Sequence, residues 1–183
     1  MNNLKIKILT LWYIIKYQYI LKKATFGKHI NISCRLKIVG PGKIIIGDGC
    51  LFKADPWGND YVTLFTHRKE ARIIIGNNVR VHATRFGSHL EIRVEDHAVI
   101  ESASVYDSDF HNIDATKRDF DYNKGDRQVI IRKGAYVGVE SLCSKGTVIG
   151  ERTILLPASV IGTKTVPDNM MAVGLPAMII KSK

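Results

Sequence analysis

From Ile131 onward every sixth residue is aliphatic or nearly so, through Ile131, Val137, Cys143, Ile149, Leu155 and Ile161. The residue four beyond each is small: Ala135, Ser141, Thr147, Thr153, Ser159 and Thr165. A helix of about 3.6 residues per turn cannot hold a six-residue period on one face, whereas short strands joined by turns can. The pattern predicts a coil with flat sides, one hexad to a side, with the aliphatic residue filling the interior and the small one near a corner. Glycines at 134, 138, 146, 150 and 162 fall between these slots, where turns call for φ > 0.

The upstream half carries the same pattern with slips. Ile30, Leu36, Ile46 and Phe52 supply aliphatic slots, with Cys34, Gly40 and Cys50 in small ones. Further on come Ile75 and Val81 with Val79, then Val94, Ile100 and Tyr106 with Ala98 and Ser104. Two segments fall outside the pattern, residues 53–71 and 107–127, and are expected to be loops thrown out from a rigid scaffold, where binding and chemistry concentrate. The expected organisation is an N-terminal amphipathic helix over 1–23, one β-helix domain over 24–166, and a tail over 167–183.

Residues 1–23 are apolar, aromatic and basic. Lysines at 5, 7, 16, 22 and 23 interrupt the run well short of the ~20 apolar residues of a membrane span, and no small-residue cleavage site follows. On a helix, Lys5, Trp12, Lys16, Tyr19 and Lys23 fall near one line, which fits an interfacial helix making peripheral membrane contact. The plainer reading, preferred at this point, is a helix packed on its own protein or on a neighbouring subunit.

Composition changes this picture little. With 45% apolar and 24% charged residues over 183 positions, the chain has the make-up of a single soluble domain. Cys34, Cys50 and Cys143 form neither a CxxC pair nor a zinc spacing, which suits a reducing cytoplasm. The formal charge of +10 fits nucleic acid, an anionic membrane or a polyphosphorylated cofactor. The scattered Lys and Arg residues and the lack of any DNA- or RNA-binding motif argue against nucleic acid.

The six-hexad run, together with the Val-Gly-x-Pro-Ala-x-x-Ile-Lys tail from Val173 to Lys181, resembles the bacterial hexapeptide-repeat acyltransferases, in particular their sugar and polysaccharide O-acetyltransferase branch. The resemblance covers roughly residues 24–181. It implies an all-β fold, a left-handed parallel β-helix of hexapeptide repeats with a short N-terminal helix and projecting loops. It also implies acetyl-CoA as donor, no metal, direct transfer without an acyl-enzyme, and a homotrimer with active sites between subunits. Location in the cytoplasm, peripheral on the inner membrane face if the helix binds lipid, would fit such an enzyme.

Acetyl transfer to a sugar hydroxyl needs a base, because the hydroxyl is a poor nucleophile until its proton is taken. Asp107-Ser108-Asp109-Phe110-His111-Asn112 resembles the family's Asp-x-His site, which places the base at His111. In an extended stretch Asp107, Asp109 and His111 point the same way, so one carboxylate, Asp109 first, would orient the imidazole. Asp107, His82 and Trp57 are expected at the acceptor, and Trp57, Asp60, Tyr61, Phe110, Tyr122 and Asp126 have the aromatic and carboxylate character that suits a carbohydrate. Gly138, with its freedom for close approach, is placed at the pantetheine or thioester. For the cofactor's phosphates and adenine the resemblance points to Ser144, Ala158, Thr163, Lys164 and Lys181; the stretch Ser159–Pro167 runs one residue longer than the family's usual form, which shifts assignments near Thr163. Cys143 sits in an interior slot and reads as core. Two other activities stay open: N-acetylation of an amino sugar or antibiotic on the same scaffold, and a metal-dependent hydratase, which needs three converging histidines. A non-catalytic scaffold is the remaining alternative.

Overall fold

The computed structural model describes residues 3–109, 111, 115–117 and 125–181. Short strands wind into a three-sided parallel coil. One face stacks Ala24–Phe26, Lys43–Ile46, Arg72–Ile75, Glu91–Val94, Val129–Ile131, Val148–Ile149 and Thr165–Val166. A second stacks Asn31–Ile32, Leu51–Lys53, Arg80–His82, Val99–Glu101, Tyr136–Val137, Ile154–Leu155 and Met170–Gly174, closed by an antiparallel strand, Ala177–Lys181. The third stacks Arg35–Val39, Tyr61–Thr66, Arg85–Ser88, Ser104–Tyr106, Leu142–Cys143 and Val160–Ile161. The chain visits the faces in rotation, so each coil contributes one strand to each.

The interior is the aliphatic slot of the repeat. Ile131, Val137, Cys143, Ile149, Leu155 and Ile161 are all buried and pair in register between successive coils, as Ile131 with Ile149 and Val137 with Leu155. The small slots from Ala135 to Ser159 are buried too, and their hydroxyls bond backbone carbonyls, Thr153 to Pro167 at 2.7 Å and Ser141 to Leu156 at 3.1 Å. This satisfies polar groups that the narrow corner would otherwise strand. The run ends one slot early: Val166, five residues after Ile161, takes the interior place, and Thr165 is exposed.

Upstream the slips shift the occupants. Ile32 rather than Ile30 is fully buried, and Val105 and Ala103 take the places that the six-residue count gives to Tyr106 and Ser104. Residues 53–71 are not one loop. Val62, Leu64 and Thr66 alternate inward, and Tyr61–Thr66 is a full strand, leaving two short excursions at 54–60 and 67–71. Of the five glycines, Gly134 and Gly146 adopt φ > 0; Gly138 does not, and a Cβ there would lie 2.6 Å from the Pro157 nitrogen of the next coil. Its role is close stacking.

The helix Asn3–Ile14, continued by a wider π turn over Ile15–Ile20, caps the open end of the first coil. Thr10 Oγ1 accepts from the Ile32 N–H at 2.9 Å, and the Tyr17 hydroxyl donates to the Leu36 carbonyl at 3.1 Å. Tyr13 and Ile14 pack on the core. The terminal coil of a solenoid needs such a cover.

Candidate active site

The long excursion leaves the prism where the third face turns into the first. Its two ends are clamped. Asp107 is fully buried, and its carboxylate accepts from Ser88 Oγ at 2.7 Å and from the N–H groups of His89 and Leu90 at 2.7 and 2.8 Å. At the far end Asp126 lies 3.2 Å from Arg68 Nη1 and 3.5 Å from His89 Nδ1, and the Arg127 N–H donates to the Asp107 carbonyl at 3.1 Å. Burial pushes the Asp126 carboxyl above its ordinary range, against the pull of His89 and Arg68. The His67 ring lies tilted against that of His89, with centroids 4.2 Å apart and planes inclined at 56°.

This corrects the expectation for Asp107. The strand ends at Tyr106 but its alternation runs one residue further, so Asp107 points inward like Val105, three donors engage its carboxylate, and it holds the loop instead of meeting an acceptor. Asp109 and His111 are exposed beyond the clamp. The Asp109 carboxylate pairs with Lys145 of the next coil, and the His111 N–H donates to the Asp109 carbonyl at 2.7 Å. Asp109 thus ties the loop to the coil, and among the described residues the His111 imidazole has no partner. Phe110, Asn112 and Tyr122 lie outside the described residues.

The same corner continues along the prism through Ser144, Thr163 and Lys164. The Thr163 N–H and hydroxyl both donate to the Lys145 carbonyl, at 2.9 and 3.2 Å, and Lys164 Nζ donates to the Ala177 carbonyl at 3.3 Å. Hydroxyls and ammonium groups therefore line one edge below His111. The side chain of Lys181 lies outside the described residues.

Gly138 and Ala158 stand elsewhere, where the second face turns into the third. The Gly138 N–H donates to the Leu155 carbonyl at 2.9 Å, so it is not free to serve as an oxyanion donor. Trp57 is on this second edge too, 74% exposed on the 54–60 excursion. Asp55 of that excursion accepts from Ser102 Oγ at 2.9 Å. His82 Nδ1 lies 3.5 Å from Glu101, which accepts from the Tyr136 hydroxyl at 2.7 Å. The candidate residues therefore divide between two edges of one chain, with the third face between them. A cavity of about 310 Å³ on that face is lined by Lys37, Phe65, Arg85 and Tyr106 among others.

Burial lowers the His82 pKa below 6.5, partly opposed by Glu101. The folded state then binds fewer protons than the unfolded one, so this contribution is present above pH 6.5 and is lost as pH falls from there through the folded value. The expected result is a thermal midpoint that drops more steeply below pH 6.5 in the wild type than in His82→Gln. Parallel melting curves from pH 7.5 to 5 check it; equal slopes would contradict it.

Burial pushes the thiols of Cys34 and Cys143 up to about 12 and that of Cys50 to about 11, so all three stay protonated and poorly nucleophilic. His82 stands on one edge and His89 and His111 on another. Among the described residues no group of three His, Cys, Asp or Glu side chains converges as a metal site.

Solved structures with this architecture include the N-acyltransferase AntD from Bacillus cereus in complex with dTDP and 3-hydroxybutyryl-CoA. It matches at a TM-score of 0.68 with 20% identity, over 96% of this chain and 88% of that one. A single-residue mutant of AntD with dTDP-4-amino-4,6-dideoxyglucose and coenzyme A matches at 0.59 and 23%, over 91% and 89%. The hexapeptide-repeat acetyltransferase VCA0836 from Vibrio cholerae O1 biovar eltor, complexed with acetyl coenzyme A, matches at 0.55 and 21%, over 73% and 70%. The fold is a left-handed parallel β-helix. No protein-family model and no curated protein sequence matches the chain. In this β-helix the two ends of the segment between Asp107 and Arg127 are fastened to the coil.

Proposed function

We propose that the chain is an acetyl-CoA-dependent O-acetyltransferase that acts on a sugar hydroxyl in surface polysaccharide or glycan assembly, with His111 as general base. The observation that carries this reading is the alignment of one edge: a projecting histidine on a clamped loop, followed coil by coil by Lys145, Ser144, Thr163 and Lys164. Imidazole at His111 takes the acceptor proton as the hydroxyl oxygen attacks the thioester carbonyl. The tetrahedral adduct collapses, the C–S bond breaks, and the proton passes from imidazolium to the departing thiolate. Lys164, and Lys181 with it, would meet the cofactor's phosphates as point charges.

The division of candidate residues between two edges supports a site completed by a second copy of the chain, as a homotrimer would provide. The second-to-third edge of a neighbour would bring Trp57, His82, Gly138 and Ala158 toward the loop. Trp57 offers a ring to a sugar face.

N-acylation of a nucleotide-linked amino sugar is the second reading. AntD has been solved with such an amino sugar, and the cavity holding Lys37 and Arg85 has the charge to accept a diphosphate. Thiol release from acetyl-CoA, measured with a panel of sugars, nucleotide sugars and their 4-amino counterparts, separates the two. Turnover confined to hydroxyl acceptors supports O-transfer, turnover confined to amines supports N-transfer, and no acetyl-CoA binding at all would return the chain to the scaffold alternative.

A further inference from the structure

The capping helix is apolar on both sides. Thr10, Tyr13, Ile14 and Tyr17 face the coil, whereas Leu4, Ile8, Leu11, Trp12 and Ile15 recur at three- and four-residue spacing on the outer side. Of these, Leu4, Ile8, Leu11 and Trp12 are 63, 61, 58 and 53% exposed, and Tyr19 and Ile20 extend the patch. A helix that is apolar all round is normally covered on all sides. Among the described residues nothing covers this one.

The charge of the chain says what would. Residues 1–47 contain nine of its cations and none of its acids; the first carboxylate is Asp48. All but one unit of the +10 formal charge therefore sits in the helix and the start of the prism. Where the helix ends, Lys22, Lys23, Lys43 and Lys69 line a cavity of about 410 Å³ with Gln18 and Pro41, and no carboxylate lines it. Lys5 flanks a second, apolar hollow formed by Ile8, Leu9 and Trp12. Apolar side chains rimmed by lysines are what an interfacial helix presents to an anionic bilayer.

We infer that this end of the prism docks on an anionic lipid surface, with the outer helix face in the acyl-headgroup boundary and the four-lysine cavity against lipid phosphates. A second copy of the chain is the poorer occupant, because face-to-face contact would set one lysine-rich end against another with no acid to balance them. No helix among the described residues is long and apolar enough to cross a membrane, so the contact is peripheral. The inference is independent of the acyl-transfer reading.

The full chain is sedimented with vesicles of phosphatidylcholine alone or with added phosphatidylglycerol, at low and high salt. Binding to the anionic vesicles is expected, weakened at least about tenfold by neutral lipid, by high salt, or by the combined Lys→Gln change at 22, 23, 43 and 69. The triple change Ile8→Ser, Leu11→Ser and Trp12→Ser is expected to abolish it, and since these positions are exposed the melting curve should not move. Absence of vesicle binding overturns the inference, as does equal binding to both lipids. Self-association of the wild type that the triple change removes, without any lipid binding, would overturn it in favour of a second copy. Acyl transfer is not read in this experiment, so its outcome leaves the role of His111 untouched.

Discussion

Replacement of His111 by alanine is expected to lower kcat by about 10²- to 10⁴-fold, the usual contribution of a positioned general base. Acetyl-CoA binding should stay as it is, because the imidazole touches none of the candidate cofactor residues described along the edge. The side chain is exposed and no described group depends on it, so the fold should be unaffected. Calorimetric titration of acetyl-CoA into both proteins, followed by thiol-release assays with an accepted substrate, checks the split. Full turnover by the variant would remove His111 as base and make His82, whose half-buried imidazole lies beside Glu101, the next residue to test. Loss of binding in the variant would instead give His111 a place in cofactor recognition.

The second large effect is expected at Asp107. Its replacement by alanine leaves Ser88 Oγ and the His89 and Leu90 N–H groups without their acceptor in a buried site. Each stranded buried donor costs about 1–3 kcal/mol, and part of that returns through relaxation and water, so a loss of about 2–5 kcal/mol is expected. For a chain of this size that is a fall in thermal midpoint on the order of 10 °C. Activity should fall further than stability explains, because Asp107 fixes the start of the segment that carries His111 four residues on. Asp107→Asn retains the shape and an acceptor oxygen and should fall between the two. A melting curve for Asp107→Ala that overlays the wild type would show that the clamp does not hold the loop.

The two substitutions separate the parts of the loop. His111 lies beyond the clamp and bears on chemistry alone, whereas Asp107 bears on position and therefore on both readouts. Asp126 closes the other end through Arg68 and His89, drawn from two earlier coils at the same corner. Such a base fixes where the segment carrying His111 leaves and rejoins the coil.

The interior was legible residue by residue wherever the hexads ran unbroken, because the period of six is itself the packing rule. One inward residue per side allows little else, and Ile131 through Ile161 obey it. Where the count slipped the reading failed: at Tyr106 against Val105 by one residue, since one step along a strand exchanges the inner face for the outer, and at Ile30 against Ile32 by two, since Ile30 falls before the strand Asn31–Ile32 begins. The strand Tyr61–Thr66 was missed inside an expected loop for a related reason: its inward Val62, Leu64 and Thr66 follow a period of two, which a search at six passes over.

The sequence by itself determined the coil, its interior column, the excursion after Tyr106 and the presence of a histidine on it. Periodicity and interruption are local properties, written in consecutive residues. Only the tertiary structure decided what each polar residue does at a corner. Asp107 turned inward to the N–H groups of His89 and Leu90, Lys145 met Asp109 across 36 positions, and Arg68 met Asp126 across 58. Those partners are brought together by the stacking of coils, whose register depends on every slip before it, and no spacing along the chain records that sum. The same stacking placed Gly138 and Ala158 on a different edge from Lys164, a separation set by the three-fold turn of the prism and invisible in a repeat whose sides look alike.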